Sequence, residues 1–230
     1  KASWVFHHPN GRYDQVLVGG ALMDEEKNFY IAFVDGIRKV SPAGELLWTY
    51  TAPDPYGISV TPALMDGSVF GLDAKGHIFR VDKETGDAQW VVRPYKDAGM
   101  DSGYVGVHDG VVVVGIENYN MGRQQAANNR VSGVNASDGH ELWSFVPDTP
   151  TWNFHALFAN DGTFVFQDFD GKAYRLGVYD GRLFWKAGGS NGETWTDGGA
   201  ALGPNRVVYA VANAGHQLHQ HPDLPSTVSA

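Results

Sequence analysis

The sequence predicts an all-β fold, a β-propeller of about five four-stranded blades. Three observations support this prediction. A segment reading Ala-Leu-Met-Asp occurs at 21–24 and again at 63–66. Tryptophans recur with spacings of 44, 42, 53 and 42 residues, at Trp4, Trp48, Trp90, Trp143 and Trp185. Asp-Gly and similar pairs divide each interval into short aliphatic and aromatic segments. Four strands in a period of about 40–45 residues are typical of one propeller blade.

Each blade is expected to contain four strands, A to D, joined by tight hairpins whose glycines permit positive φ. Strand D carries the recurring tryptophan. Strand A is predicted at 16–22, 59–64, 103–107, 153–158 and 198–202. Strand B is predicted at 29–34, 68–72, 111–116, 163–167 and 207–211. Strand C is predicted at 37–40, 77–81, 131–135 and 172–176, and at 217–219 in the last copy.

The two ends of the repeat array suggest how the propeller closes. The fifth copy has no strand D, whereas residues 2–6 around Trp4 read as a strand D without A to C. Pairing of residues 2–6 with the last blade would leave no open sheet edge. The sequence therefore predicts closure at five blades, with an arc of a seven- or eight-bladed propeller as the alternative. Residues 1–221 are assigned to the propeller and 222–230 to a tail or linker.

Bulk composition excludes some classes of function. The chain carries a formal net charge of −9, which argues against nucleic-acid binding because such proteins need a basic surface. It has no run of about 18 apolar residues, so no membrane span is predicted. It has no cysteine, so neither a disulfide nor a thiolate nucleophile is possible.

The pattern Asp-x-x-x-Gly-x-x-x-Trp at 82–90, its variant at 135–143, and Thr-Pro-Ala-Leu at 61–64 resemble the PQQ-like repeat. This resemblance implies a propeller of the quinoprotein alcohol dehydrogenase-like superfamily. It also implies that the glycine and tryptophan pack between neighbouring blades, so we expect four tryptophans to be largely buried: Trp48, Trp90, Trp143 and Trp185. Enzymes of this superfamily carry a vicinal cysteine pair, a calcium site and a catalytic aspartate. This chain lacks cysteine, and none of its acidic residues maps onto the calcium site.

Two regions are candidates for binding. One is the face that carries the D-to-A and B-to-C connections, where aromatic and acidic residues gather at the starts of strand A: Tyr56, Asp101, Tyr104, Trp152, Asn153, His155, Trp195 and Asp197. Such a set suits a binding surface; the alternative is that it plugs the channel or wedges between blades. The other is the insertion at 118–129, with partner-contact residues Asn118, Tyr119, Met121 and Arg123. The alternative for this loop is a tolerated surface excursion.

The sequence thus predicts a non-catalytic scaffold or interaction module that docks a partner protein in a larger assembly. We assign no catalytic residue, metal ligand or cofactor. The alternative is a PQQ-like enzyme or small-molecule binder that uses the channel mouth, with PQQ and calcium as cofactors. Because the chain begins with Lys1 and resembles exported propellers, we expect a location outside the cytosol, in the periplasm, the secretory pathway or an organelle lumen, after removal of a targeting segment.

Overall fold

The protein folds into consecutive antiparallel sheets, each of four strands. The computed structural model describes residues 3–9, 20–53, 61–73, 75–94, 104–116, 119–120, 123–124, 130–190, 193–196, 199–214 and 227–229. These residues form five four-stranded sheets and one two-stranded hairpin. The only helical element within these ranges is a 3-10 turn at Pro204–Arg206. The predicted all-β fold of four-stranded blades is confirmed.

The first four sheets are meanders in which consecutive strands pair. The first contains β1 (Leu22–Met23), β2 (Phe29–Phe33), β3 (Gly36–Val40) and β4 (Leu46–Thr51). The second contains β5 (Ala63–Met65), β6 (Ser68–Leu72), β7 (Ile78–Asp82) and β8 (Ala88–Val92). The third contains β9 (Val105–His108), β10 (Val111–Ile116), β13 (Arg130–Asn135) and β14 (Glu141–Phe145), with the hairpin β11 (Tyr119–Asn120) and β12 (Arg123–Gln124) between β10 and β13. The fourth contains β15 (Leu157–Phe158), β16 (Thr163–Gln167), β17 (Ala173–Gly177) and β18 (Leu183–Ala187).

The fifth sheet differs from the others. Strand β21 (Val208–Ala214) pairs with three short strands: β19 (Thr194–Trp195), β20 (Ala201–Leu202) and β22 (Thr227–Ser229). The third strand of this sheet is therefore at 227–229, within the segment that the sequence assigned to a tail. Residues 217–219, where we expected that strand, lie outside the described residues.

The first strand of the fourth sheet, whose predicted range is fully described, is shorter than predicted. In the fourth sheet the expected strand at 153–158 is reduced to Leu157–Phe158. Asn153 adopts a φ of 46°, in the left-handed region, so the extended conformation cannot begin at this residue. The second strands match the prediction to within a few residues at every copy.

A β-bulge occurs at the same place in each of the first four sheets. The pairing between the third and fourth strands shifts register after Lys39, Arg80, Gly133 and Arg175. Each of these residues pairs with the recurring tryptophan, and the residue just before the tryptophan has no partner opposite it. The unpaired residue of a bulge twists and redirects its strand locally.

The recurring tryptophan of one repeat packs against the glycine turn of the next. A Cβ placed on that glycine would come within 3.0 Å of the indole in all four pairs: Trp4 with Gly44, Trp48 with Gly86, Trp90 with Gly139 and Trp143 with Gly181. We call this contact the Trp–Gly clamp. Trp48 and Trp143 are buried, at 8% exposure each, whereas Trp90 and Trp185 are half-buried. The prediction of four largely buried tryptophans is thus correct for two of them.

The hydrophobic core is divided among the contacts between consecutive sheets, here called seams. Three clusters fill the first three seams, with buried side chains such as Ile37 and Phe79, Phe70 and Val114, or Phe164 and Val113. Aromatic rings stack in the third seam, where the centroid of Phe166 lies 5.0 Å from that of Tyr174. Each of the second, third and fourth sheets is therefore held mainly by its two neighbours.

The N-terminal segment does not pair as the closure at five blades required. Residues 3–6 form no strand, and the fifth sheet is built from β19 to β22. Trp4 instead contacts the first sheet, where its ring lies 5.4 Å from that of Phe29. The described residues therefore form a partial propeller.

Candidate functional site

The structure describes five of the eight residues predicted for the binding face. These are Tyr104, Trp152, Asn153, His155 and Trp195. The other three, Tyr56, Asp101 and Asp197, lie outside the described residues. The segment 149–155 connects the third sheet to the fourth and lies beside the turn at 168–171, as shown by the backbone hydrogen bond from Phe169 N to Pro150 O at 2.7 Å. The D-to-A and B-to-C connections therefore share one face, as predicted.

Tyr104 and His155 form the centre of the described face. Their ring centroids are 3.9 Å apart with an interplanar angle of 31°. The backbone fixes this pair, because Tyr104 N donates a hydrogen bond of 2.9 Å to Phe154 O. Phe154 is fully buried and packs on Phe166 at 5.4 Å. Two residues from different sheets thus meet on a rigid base.

Phe169 contacts both the segment of Trp152 and the residue that follows Trp195. The Trp152 ring is 5.9 Å from that of Phe169, and Thr196 N donates to Phe169 O at 2.8 Å. Trp195 is buried, and its indole N–H has no hydrogen-bond partner within the described structure. Trp195 is therefore not part of the exposed surface of this face. Trp152 and Asn153 remain half-buried at the face.

A buried polar pair beneath the face was not anticipated from the sequence. The Tyr174 hydroxyl donates to Asp168 Oδ2 at 2.6 Å and accepts from Asp148 N at 2.9 Å. Burial raises the pKa of Asp168 above its usual value, and burial together with this hydrogen bond raises the pKa of Tyr174. The pair ties the turn after β16 to the connection that carries Trp152. An Asp in a hairpin turn is ordinary turn chemistry, so the sequence offered no signal for this role.

Partial burial lowers the pKa of His155 below its usual value of 6.5. The folded protein then binds this proton less tightly than the unfolded chain, so the stability present above pH 6.5 is lost as the pH falls from 6.5 through the lower pKa of the folded state. We predict a titration midpoint below 6.5 for the His155 ring in NMR spectra. Tyr104→Ala uncovers the ring and should move the midpoint toward 6.5, whereas Tyr179→Ala should leave it unchanged. A wild-type midpoint at or above 6.5 would contradict the arrangement.

The predicted contact loop is described only in part. Tyr119 and Arg123 lie in the paired strands β11 and β12, where Tyr119 is opposite Gln124 and Asn120 is opposite Arg123. Asn118 and Met121 lie outside the described residues. The insertion therefore carries a short hairpin, and its role in binding stays a prediction.

Two further searches concern the described residues only. No three histidine, aspartate or glutamate side chains within these ranges converge as a metal site. Nor do the same segments include a helix with the length and apolar character needed to cross a bilayer.

Comparison with protein families identifies the repeat. The family described as outer membrane protein assembly factor BamB matches residues 26–114 and 93–218, which together span most of the chain. The chain belongs to this BamB-like, PQQ-repeat family. None of the curated protein sequences compared with the chain matches it significantly.

Solved structures support the same fold at low sequence identity. BamB from Moraxella catarrhalis is 15% identical with a TM-score of 0.57, and the match covers 86% of this chain and 55% of that one. The computationally designed protein Ika8 is 16% identical with a TM-score of 0.62, covering 90% of this chain and 56% of that one. Quinohemoprotein alcohol dehydrogenase from Comamonas testosteroni is 12% identical with a TM-score of 0.59, covering 86% and 40%.

These neighbours establish the fold alone, because an assembly factor, a designed protein and an enzyme share it. The chain spans about half the length of BamB and of Ika8. This ratio agrees with the partial propeller that the described residues form.

Proposed function

We propose that this BamB-like chain is a non-catalytic interaction module that docks a partner protein in an assembly outside the cytosol. The observation that carries the proposal is the Tyr104–His155 pair, in which an exposed imidazole ring lies on a half-buried tyrosine ring above the buried Phe154. Membership of a family described by an outer membrane assembly factor supports the compartment and the type of role.

The physical argument is that the aromatic side chains of this face are held in place before any partner binds. Rigid aromatic side chains supply much of the energy of protein interfaces, because they bury large areas at a small entropic cost. Here Phe154 anchors the segment from below, and Phe169 holds Trp152 at its side. The exposed His155 and the half-buried Tyr104 and Trp152 are thereby held at this face from fixed backbone positions.

Site-specific photo-crosslinking tests the proposal. A photoreactive phenylalanine analogue at position 152 or 155 should form a protein adduct in the producing cell. The matched control is position 179, whose side chain is 53% exposed. Tyr179 donates to Asp109 in the turn after β9, at the opposite end of the sheets. Equal crosslinking at all three positions, or none at 152 and 155, would contradict docking at this face.

The alternative, a quinone-binding enzyme at the channel mouth, makes a different prediction. Titration with PQQ and calcium should then change the tryptophan fluorescence of the wild-type protein and leave Trp152→Ala unaffected. For the docking module we expect no saturable change with either protein. Saturable binding that depends on Trp152 would favour the enzyme.

A further inference from the structure

A cavity of about 600 Å³ lies between the fourth and fifth sheets. Its described walls consist of Trp185, glycines, alanines, valines and two hydroxyl residues, and Arg206 is the one charged residue among them. Trp185, Arg206 and Val208 also line a second cavity of about 270 Å³. Cavities of this size, with apolar walls and a few polar groups, are typical of small-molecule sites.

The walls of the larger cavity carry small side chains where the third seam has aromatic rings. Two residues after the repeat tryptophan, Ala187 stands in place of Phe145. The pairing register of the first and second strands places Ala210 where the fourth sheet has Phe166. In the third seam the rings of Phe145 and Phe166 are in contact, with centroids 6.4 Å apart. Two methyl groups replace them in the fourth seam, which leaves room for a flat aromatic body.

Two hydrogen-bond donors beside the cavity have no acceptor in the part of the chain that the structure describes. These are the indole N–H of Trp185 and the guanidinium of Arg206. The hydroxyl residues of the wall are already bonded, because Ser190 Oγ donates to Thr194 Oγ1 at 3.3 Å and Thr194 Oγ1 donates to Asp170 O at 2.7 Å. A negatively charged acceptor is the natural complement of such a lining.

Arg206 is held in an unfavourable backbone conformation. Its φ is 65°, in the left-handed region that favours glycine. It lies in the turn before the second strand, where the second, third and fourth sheets have Gly67, Gly110 and Gly162 at positive φ. The first sheet has Lys27 in this turn, with a φ of 66°. Residues held in such conformations cluster at functional sites, so the position of the Arg206 side chain calls for a functional explanation.

The charges around the cavities do not balance. Arg175 and Arg206 both line the second cavity, and neither cavity has an acidic residue in its described lining. Arg175 Nη2 donates to Asp161 Oδ2 at 2.5 Å. A hydrogen bond from Thr163 and the charges of Arg175 and Arg206 lower the pKa of Asp161, so this carboxylate is ionised and balances one of the two guanidinium groups. One positive charge is left beside an apolar cavity.

We propose that the larger cavity binds a small aromatic molecule with a single acidic group. The ring system lies between Ala187 and Ala210 and against Trp185, and the acidic group pairs with Arg206. A ligand with several acidic groups would place charge against apolar walls at a large cost. The site does not rest on the docking face, because Arg206 lies between the first and second strands of its sheet, at the opposite end from that face.

Titration with 2-naphthoate tests the proposal. In protein labelled with 5-fluorotryptophan, fluorine NMR follows the Trp185 resonance, which is assigned with Trp185→Phe. We expect a saturable shift of this resonance, because the naphthalene ring would lie against the indole. Naphthalene-2-methanol has the same ring system without the charge and should bind at least about tenfold more weakly.

Two variants make the same change in equivalent turns. Arg206→Gly removes the guanidinium and the left-handed strain, so it should weaken naphthoate binding at least about tenfold without lowering the Tm. Lys27→Gly removes one charge and the same strain from the first sheet, and it should leave naphthoate binding unchanged. Ala210→Phe should fill the cavity and abolish the binding of both probes.

The comparison does not depend on the labelled tryptophan. Isothermal titration calorimetry of the wild type, Arg206→Gly and Lys27→Gly with naphthoate gives the same contrast if Trp185→Phe fails to fold. The absence of saturable binding to the wild type would overturn the proposal. So would equal affinities for the acid and the alcohol, or an equal affinity of the wild type and Arg206→Gly for naphthoate.

Discussion

Replacement of Trp143 by alanine is expected to lower the free energy of unfolding by about 3–5 kcal/mol, the usual range for a large buried aromatic. Trp143 is 8% exposed, stacks on Phe164 at 5.9 Å and donates to Val178 O. Its loss opens a cavity in the third seam and leaves a carbonyl without its donor. Urea unfolding followed by far-UV circular dichroism measures the change.

Trp185→Ala is the matched control, because the two residues hold equivalent positions in consecutive sheets. Trp185 is half-buried and already faces a cavity, so we expect a loss of about 1 kcal/mol, near the average for point substitutions. Equal losses for the two variants would show that the clamp contributes nothing beyond the burial of an indole.

Replacement of Gly181 by alanine should cost about 2–5 kcal/mol, the sum of backbone strain and overpacking. Gly181 has a φ of +63°, and a Cβ there would lie 2.6 Å from the Trp143 ring. The indole can yield only by leaving Val178 O and its neighbours in the third seam. Chemical denaturation gives this value by the same assay.

Gly67→Ala separates the two causes. Gly67 has a φ of +70°, but no atom lies within 4 Å of a Cβ at this position. Only the backbone strain of about 1–2 kcal/mol is expected there. The difference between the two variants is therefore the cost of intruding on the clamp. A Gly67 variant as unstable as the Gly181 variant would rule out the contact with Trp143 as the cause.

Much of the fold was predictable because short local sequence patterns in each repeat specify its strands and turns. The strand at Ser68–Leu72 and that at Thr163–Gln167 match the prediction residue for residue. Dense β-branched and aromatic segments between turn pairs leave few alternatives. The glycine-tryptophan packing was implied by the family resemblance and is confirmed in the four clamps.

Other features depend on tertiary contacts that no local pattern encodes. The bulge before each tryptophan arises from pairing between strands. The residue types at the unpaired positions, such as Gln89 and Phe184, do not predict it. Half-burial of Trp185 depends on what lies opposite, which includes Ala210 from another sheet. The left-handed conformation of Asn153 shortened the predicted first strand of the fourth sheet.

The candidate site was anticipated as a set of residues on one face, but not as contacts. Tyr104 and His155 are 51 positions apart and meet only because consecutive sheets pack side by side. Trp195 was grouped with them, yet it is buried. The sequence cannot distinguish an aromatic side chain that is buried from one that forms an exposed binding surface, because both lie near the start of a first strand.

Each clamp joins only adjacent repeats. The stability of this chain is therefore approximately a sum of terms for single repeats and for the interfaces between neighbouring repeats. Every interior sheet has two packed interfaces with neighbouring sheets. The fifth sheet has one such interface in the described structure, and that interface contains a cavity. The free energy of local opening should therefore be lower in the fifth sheet than in the third and fourth sheets. Amide hydrogen exchange should be fastest in β21 and slowest in β10 and β16. Evolution can consequently lengthen, shorten or decorate such an array one unit at a time, because a change in one repeat alters only the two couplings beside it.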